Sequence, residues 1–218
     1  MRVWYWCAFL LVLVLAAPAA ADPIGDLIGG VAARYGQAKN MMIDFEQVAI
    51  VKQLGGREKK ANGTIYFARP NKIRWVYKSA PAKEIISDGT SLVVYYVEEK
   101  KAYLDKAGRA FNISEPVKLL TGEIDVKTLY AAELLGEEDG AARLKLTPKK
   151  AMGFAYLVLH INKQGFFVQR VDTVDAYGNL TKLYLKNPRF NTKLPAGTFV
   201  FTPREGVEII DAPMMDEL

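Results

Sequence analysis

The chain has 218 residues, a formal net charge of +5, one histidine and one cysteine. Its only cysteine is Cys7, so residues 22–218 have no disulfide or thiolate chemistry open to them and must draw stability from a hydrophobic core. Lysines alternate with acids along most of the chain, so the mild basicity describes a solvated surface and argues against a nucleic-acid footprint.

Arg2, the apolar run Cys7–Ala17 and the small residues Ala19, Ala20 and Ala21 read as a secretory signal peptide, residues 1–21, cleaved before Asp22. The run is too short to span a membrane. A lipid anchor needs a cysteine at the cleavage point, where Asp22 stands, so the expected product is soluble, periplasmic and unanchored. Residues 22–218 show no linker, composition shift or repeat, and one domain is expected.

Asp22-Pro23 is a helix start, an N-cap acceptor followed by proline at the first helical position. Ile24, Leu27, Ile28, Val31 and Tyr35 continue at helical spacing, predicting an amphipathic helix over 23–39. Gly25, Gly29, Gly30 and Gly36 weaken it; such glycines permit close packing or leave a helix easy to move, the former more commonly.

Period two then takes over. Ile43, Phe45, Ala49 and Val51 predict a strand, and "GGREKKANG" at 55–63 a polar turn. In "GTIYFARPNKIRWVY", 63–77, Arg69-Pro70 separates two strands. Ile65, Phe67, Ile73, Trp75 and Tyr77 mark one face, while Tyr66 and Val76 leave the other partly apolar as well. "SDGT" at 87–90 is a hairpin signal between "KEIIS" and "SLVVYYV". Further strands are expected near 100–104 and 109–113, then helical segments at 115–121 and 126–135, the second capped by Asp125. Strands follow at 142–147, 154–161, 166–175, 179–186, 199–202 and 207–210. The fold class is mainly β with a few helices (α+β): about ten or eleven mostly antiparallel strands in one large curved sheet or barrel.

Chemistry is sparse. His160, at a strand end in "FAYLVLHIN", reads as a core or sheet-edge residue, and no base is paired with a nucleophile. Metal ligation normally needs several His, Cys or clustered carboxylates, and "GEEDG" at 136–140 reads as a solvated turn. Asp105, Asp172, Asp175 and Glu46 are the acids from which a glycosidase-type pair would have to be drawn, with no sign that two converge. No catalytic residue, metal or cofactor is therefore assigned. Asn62, Asn112 and Asn179 sit in N-x-S/T triplets, which matter only in a glycosylating host. "SLVVYYV" is apolar on both faces, Leu92, Val94 and Tyr96 against Val93, Tyr95 and Val97. Three helical segments are too few to cover ten strands twice, so part of this area is expected to line a cavity, as in ligand-holding barrels.

Six short stretches then occur in order: "F-x-Q" at 45–47, "GTIYFARPNKIRW" at 63–75, "S-D-G-x-x-L" at 87–92, "LTPK" at 146–149, "D-x-x-G-N-x-T" at 175–181 and "F-x-F-T-P-x-x-G-V" at 199–207, preceded by the signal peptide. Together they resemble the periplasmic outer-membrane lipoprotein carriers, the LolA family, over nearly all of residues 22–218. The resemblance implies an unclosed antiparallel β-barrel with a helical lid over a hydrophobic cavity, and a monomeric chaperone with no covalent step. Its partners would be acylated lipoproteins, an inner-membrane ABC-type release complex and an outer-membrane receptor. It places the family's lid-holding arginine on Arg69 and its cavity tryptophan on Trp75. The acyl-chain wall is expected to include Phe45, Ile65, Phe67, Ile73, Tyr77, Leu92, Val94, Leu119 and Leu120 besides Trp75. Ile73 stands where family members often carry a ring. Two alternatives remain: a receptor or sensor on the same fold, against which the absence of cysteine at position 22 argues, and a secreted hydrolase.

Overall fold

The computed structural model describes residues 22–106 and 126–211. The strand expected at 109–113, the helix at 115–121, the Asp125 cap, Leu119, Leu120 and the acidic tail at 213–218 lie outside those residues. Helix α1 (Pro23–Gly36) begins as its sequence dictates, with the Gly25 amide donating to Asp22 Oδ1 at 2.9 Å. It buries Leu27, Val31 and Tyr35, the stripe expected from the spacing. Of its glycines, Gly30 meets a neighbour outside the helix and its cap: a Cβ there would lie 2.2 Å from the Phe166 ring, whereas Gly29 and Gly36 face open space. Close packing thus explains Gly30, and the other two only lower helix propensity.

Twelve strands form one sheet. In chain order they are β1 (Asn40–Val51), β2 (Arg57–Ala68), β3 (Lys72–Tyr77), β4 (Lys83–Ser87), β5 (Leu92–Tyr96), β6 (Lys101–Asp105), β7 (Tyr130–Glu138), β8 (Ala141–Pro148), β9 (Tyr156–Asn162), β10 (Phe167–Val174), β11 (Leu180–Phe190) and β12 (Glu208–Asp211). The order across the sheet is β12-β6-β5-β4-β3-β2-β1-β11-β10-β9-β8-β7, unclosed, with every pairing antiparallel except β12 on β6. Each neighbouring pair between β1 and β6 and between β7 and β11 is joined by a short connection, and β1 meets β11 where the two halves join. Among the described residues no helix is long and apolar enough to cross a membrane.

Three expectations are corrected. The polar turn at 55–63 is confined to its start: pairing resumes at Val51↔Arg57, so the charged residues of 57–61 form the overhanging end of a twelve-residue β2. The helix at 126–135 is a single turn, α2 (Val126–Leu129), and from Tyr130 the chain becomes β7, registered against β8 from Tyr130↔Pro148 to Glu138↔Ala141. Alanine, glutamate and leucine favour a helix locally, but the exposed ladder of β8 and the burial of Tyr130 outweigh that preference. Finally, "FVFT" at 199–202 is not a strand; it belongs to an irregular strap that lays Phe201 against Tyr95, ring centroids 5.5 Å apart.

Gly63 sits where β2 passes between β1 and β3, opposite Phe45 and Tyr77. A Cβ there would stand 1.8 Å from the Val76 carbonyl oxygen and 2.8 Å from Phe45 Cε1. Backbone cannot yield as a side chain can, so Gly63→Ala is expected to destabilise by about 2–3 kcal/mol. The urea midpoint should fall with its slope unchanged; an unmoved midpoint would show that β2 and β3 part here without strain.

Candidate functional site: the inner face of the sheet

Alternation along each strand sorts its residues onto two faces. The inner face, on which α1 lies, gathers Phe45, Ile65, Phe67, Ile73, Trp75, Leu92 and Val94 into one buried cluster with Leu144, Leu157, Leu159 and Leu183. All the cavity residues expected from the sequence that fall within the described chain are on this face, Tyr77 being partly buried against the cluster. Ile73, at a position where the resemblance often has a ring, is 5% exposed and packs as an ordinary aliphatic.

The aromatic part of this face is built by cross-strand neighbours. Phe45 meets Trp75 edge-on at 5.4 Å and Tyr77 edge-on at 5.1 Å, and Trp75 and Tyr77 stack with planes 2° apart. The Trp75 indole N–H is buried with no acceptor among the described residues. Burial pushes the Tyr77 phenol up to about 12, so it stays neutral, donating to Gln47 Oε1 at 3.2 Å. Beyond Tyr77 the inner face opens into a hollow of about 530 Å³ bordered by Gln47, Ala49, Lys59, Lys83 and Tyr96. The overhang of β1 and β2 forms one side of it.

Helix α1 is fastened at several points. The Val168 amide donates to the Tyr35 hydroxyl at 3.1 Å, a bond in the interior, and burial raises that phenol to about 12. The Arg34 guanidinium lies over both Phe167 and Phe190, at 4.2 and 4.7 Å from the ring centroids. Arg69, the expected lid residue, donates from Nε to the Ala38 carbonyl at 3.1 Å, two residues past the end of α1, and its amide donates to Lys39 O. Sequence reading missed Arg34 and Tyr35: neither lies in a motif, and the rings that receive Arg34 come from strands over 130 residues away.

The outer face answers the question of the second apolar side. Val93, Tyr95 and Ala102 are buried there beneath Phe201 and Val207 of the strap. So the second face of "SLVVYYV" is covered by the chain's own C-terminal segment and does not join the inner cluster; a smaller hollow of about 280 Å³ remains between strap and sheet. The strap is pinned by Arg74, which donates to Thr198 O at 3.1 Å and pairs with Glu84 at 2.5 Å.

His160 also faces outward, 4% exposed. Its Nε2 lies 2.8 Å from Arg170 Nη2 and 3.1 Å from Asp172, with Glu138 4.0 Å from Nδ1 and Arg143 beyond it. Of the other acids considered, Glu46 pairs with Lys186 and Asp175 closes its own turn onto Asn179. Burial, and then the Arg170 charge, hold the His160 imidazole below its usual range. The unfolded chain therefore takes up the proton first, and stability is lost as pH falls below about 6.5, down to the folded value. Urea midpoints at pH 7.5 and 5.5 should show this loss, and His160→Gln should reduce it; an equal pH response in the variant would assign the loss to carboxylates.

The sequence profile of the outer membrane lipoprotein carrier protein LolA matches residues 36–202. An outer-membrane lipoprotein carrier protein of Dechloromonas aromatica is 27% identical over 202 residues, 93% of this chain and 92% of that one. That of Methylococcus capsulatus is 30% identical over 175 residues, 80% and 82% of the two chains. The crystal structure of an uncharacterized conserved protein from Thermus thermophilus covers 87% of this chain and 99% of its own with a TM-score of 0.58; at 11% identity this is a likeness of fold alone. With the profile spanning more than half of the chain and the relatives aligning over most of their length, this protein belongs to the LolA family of outer membrane lipoprotein carrier proteins.

Proposed function

We propose that the chain is a periplasmic chaperone that takes up the acyl chains of lipoproteins on the inner face of its sheet and delivers them to the outer membrane. The observation that carries this is the inner aromatic floor of Phe45, Trp75 and Tyr77, which is continuous with an open hollow, in a family whose members bear the carrier name. Residues 1–21 act as the signal peptide and 22–218 as one carrier domain. Cargo comes from an inner-membrane ABC-type release complex and passes to an outer-membrane receptor, with no covalent step.

Each methylene removed from water contributes about 0.8 kcal/mol, so a bound acyl chain needs an opposing term if it is to leave. Closure of α1 over the same apolar face supplies one, since helix and acyl chain compete for that surface. Arg69 is the latch at the joint. Native mass spectrometry after mild periplasmic extraction tests the reading: co-purifying acylated protein or lipid is expected. A preparation without bound lipid that turns over a panel of esters or glycosides would replace the carrier by a hydrolase.

A further inference from the structure

Three cations border the hollow beyond Tyr77: Lys59 and Lys60 on the overhang of β2, and Lys83 at the start of β4. Lys83 is registered between Tyr77 and Tyr96 on the inner face, and its ammonium lies 4.8 Å from the Tyr77 ring centroid. It is half-buried, and that burial pulls its ammonium below the usual lysine range. The acids nearby are engaged elsewhere. Glu84, its chain neighbour, points to the outer face and pairs with Arg74; Glu98 accepts from the Ala82 amide at 2.8 Å; Glu58 lies 3.7 Å from Lys60. Among the described residues no carboxylate pairs with Lys59 or Lys83.

A partly desolvated cation over an aromatic ring, with no carboxylate partner among the described residues, at the mouth of an apolar floor is complementary to one kind of molecule. We propose that this hollow is a headgroup site for anionic amphiphiles, in which Lys59 and Lys83 hold a phosphate or carboxylate and the attached acyl chain lies on the Tyr77–Trp75 floor. The volume of about 530 Å³ suits a headgroup with the first part of its chain. The inference rests on the carrier reading but adds a ligand class to it: charged lipids as well as acylated protein.

The test is calorimetric titration of the purified protein with decyl phosphate, decanoate, decanol, inorganic phosphate and a hexaglutamate peptide, each amphiphile below its aggregation concentration. Decyl phosphate and decanoate should bind about tenfold more tightly than decanol, with an advantage that shrinks in high salt. The double variant Lys59→Gln/Lys83→Gln should lose that advantage and keep its affinity for decanol, and Lys83→Arg should retain it. Retained decanol binding also shows that the double variant is folded. Equal binding of all three amphiphiles, or an undiminished preference in the double variant, overturns the headgroup site and leaves the carrier reading standing. Inorganic phosphate binding as tightly as decyl phosphate overturns the amphiphile in favour of a free-anion site, and tighter binding of a hexaglutamate peptide overturns it in favour of acidic cargo sequence. If no amphiphile binds, decanol included, the carrier reading falls with it.

Discussion

Trp75→Glu is expected to abolish the loading of acyl chains. Trp75 is 7% exposed, packed edge-on against Phe45 and face-on against Tyr77, so its replacement puts a carboxylate at the centre of the aromatic floor. An ionised group there is driven either to neutralise or to draw water in, and both remove the apolar contact an acyl chain needs. Loss of the indole also removes packing, at about 3–5 kcal/mol for a large aromatic in a core, so stability must be followed alongside uptake. Two companions separate the effects. Trp75→Leu keeps the floor apolar and should load, at reduced stability. Tyr77→Glu sits at the half-buried margin of the floor, should fold, and should load poorly. The measurement is transfer of a labelled lipoprotein from spheroplasts into the soluble fraction. Undiminished uptake by folded Trp75→Glu and Tyr77→Glu together would remove the inner face from the site.

How much of this was readable in the chain depends on the range of the interaction concerned. Strand alternation is local, so period two sorts Ile65 with Phe67, Ile73 with Trp75 and Leu92 with Val94 within their strands; that these and Phe45 share one buried face is set by the pairing of the strands. The cap at Asp22 is local as well. The composition of residues 130–135 favours a helix and that of 136–138 a turn, and only pairing with β8 makes Tyr130–Glu138 a strand. The apolar second face of β5 was legible, but its partner was not: Phe201 lies more than a hundred residues away, in a stretch whose β-branched and aromatic content imitates a strand. The rim lysines fall between the two cases. Lys83 shares its face with Ile85 by simple alternation, so its inward direction was available; that its neighbour Glu84 does not answer it depends on Glu84 being taken by Arg74 across β3 and β4.

Arg69→Leu should tighten cargo binding and weaken its transfer onward. The Arg69 side chain hydrogen-bonds the Ala38 carbonyl, at the joint where α1 passes into β1, and its neighbour Phe67 belongs to the inner cluster. The bond belongs to the arrangement in which α1 is seated on the inner face against β10 and β7. If α1 must move for cargo to enter, the bond is absent from the loaded state, and a ligand shifts such an equilibrium only through its unequal affinity for the two states. Removing the bond therefore raises the free energy of the empty, closed form alone. A latch contributing about 1.4–3 kcal/mol corresponds to a ten- to hundredfold change in partition, toward loading and away from release. The Tyr35–Val168 bond and the Arg34 sandwich remain in the variant, so α1 should still seat without cargo. The deciding experiment runs two steps in sequence: release of a labelled lipoprotein from spheroplasts, then its incorporation into outer membranes. Arg69→Leu should match or exceed the parent in the first step and fail in the second, while Arg69→Lys, which keeps a donor in place of the guanidinium, should fall between. A variant that released cargo poorly, or transferred it as well as the parent, would show that Arg69 only anchors the chain end of α1 and takes no part in setting the direction of transfer.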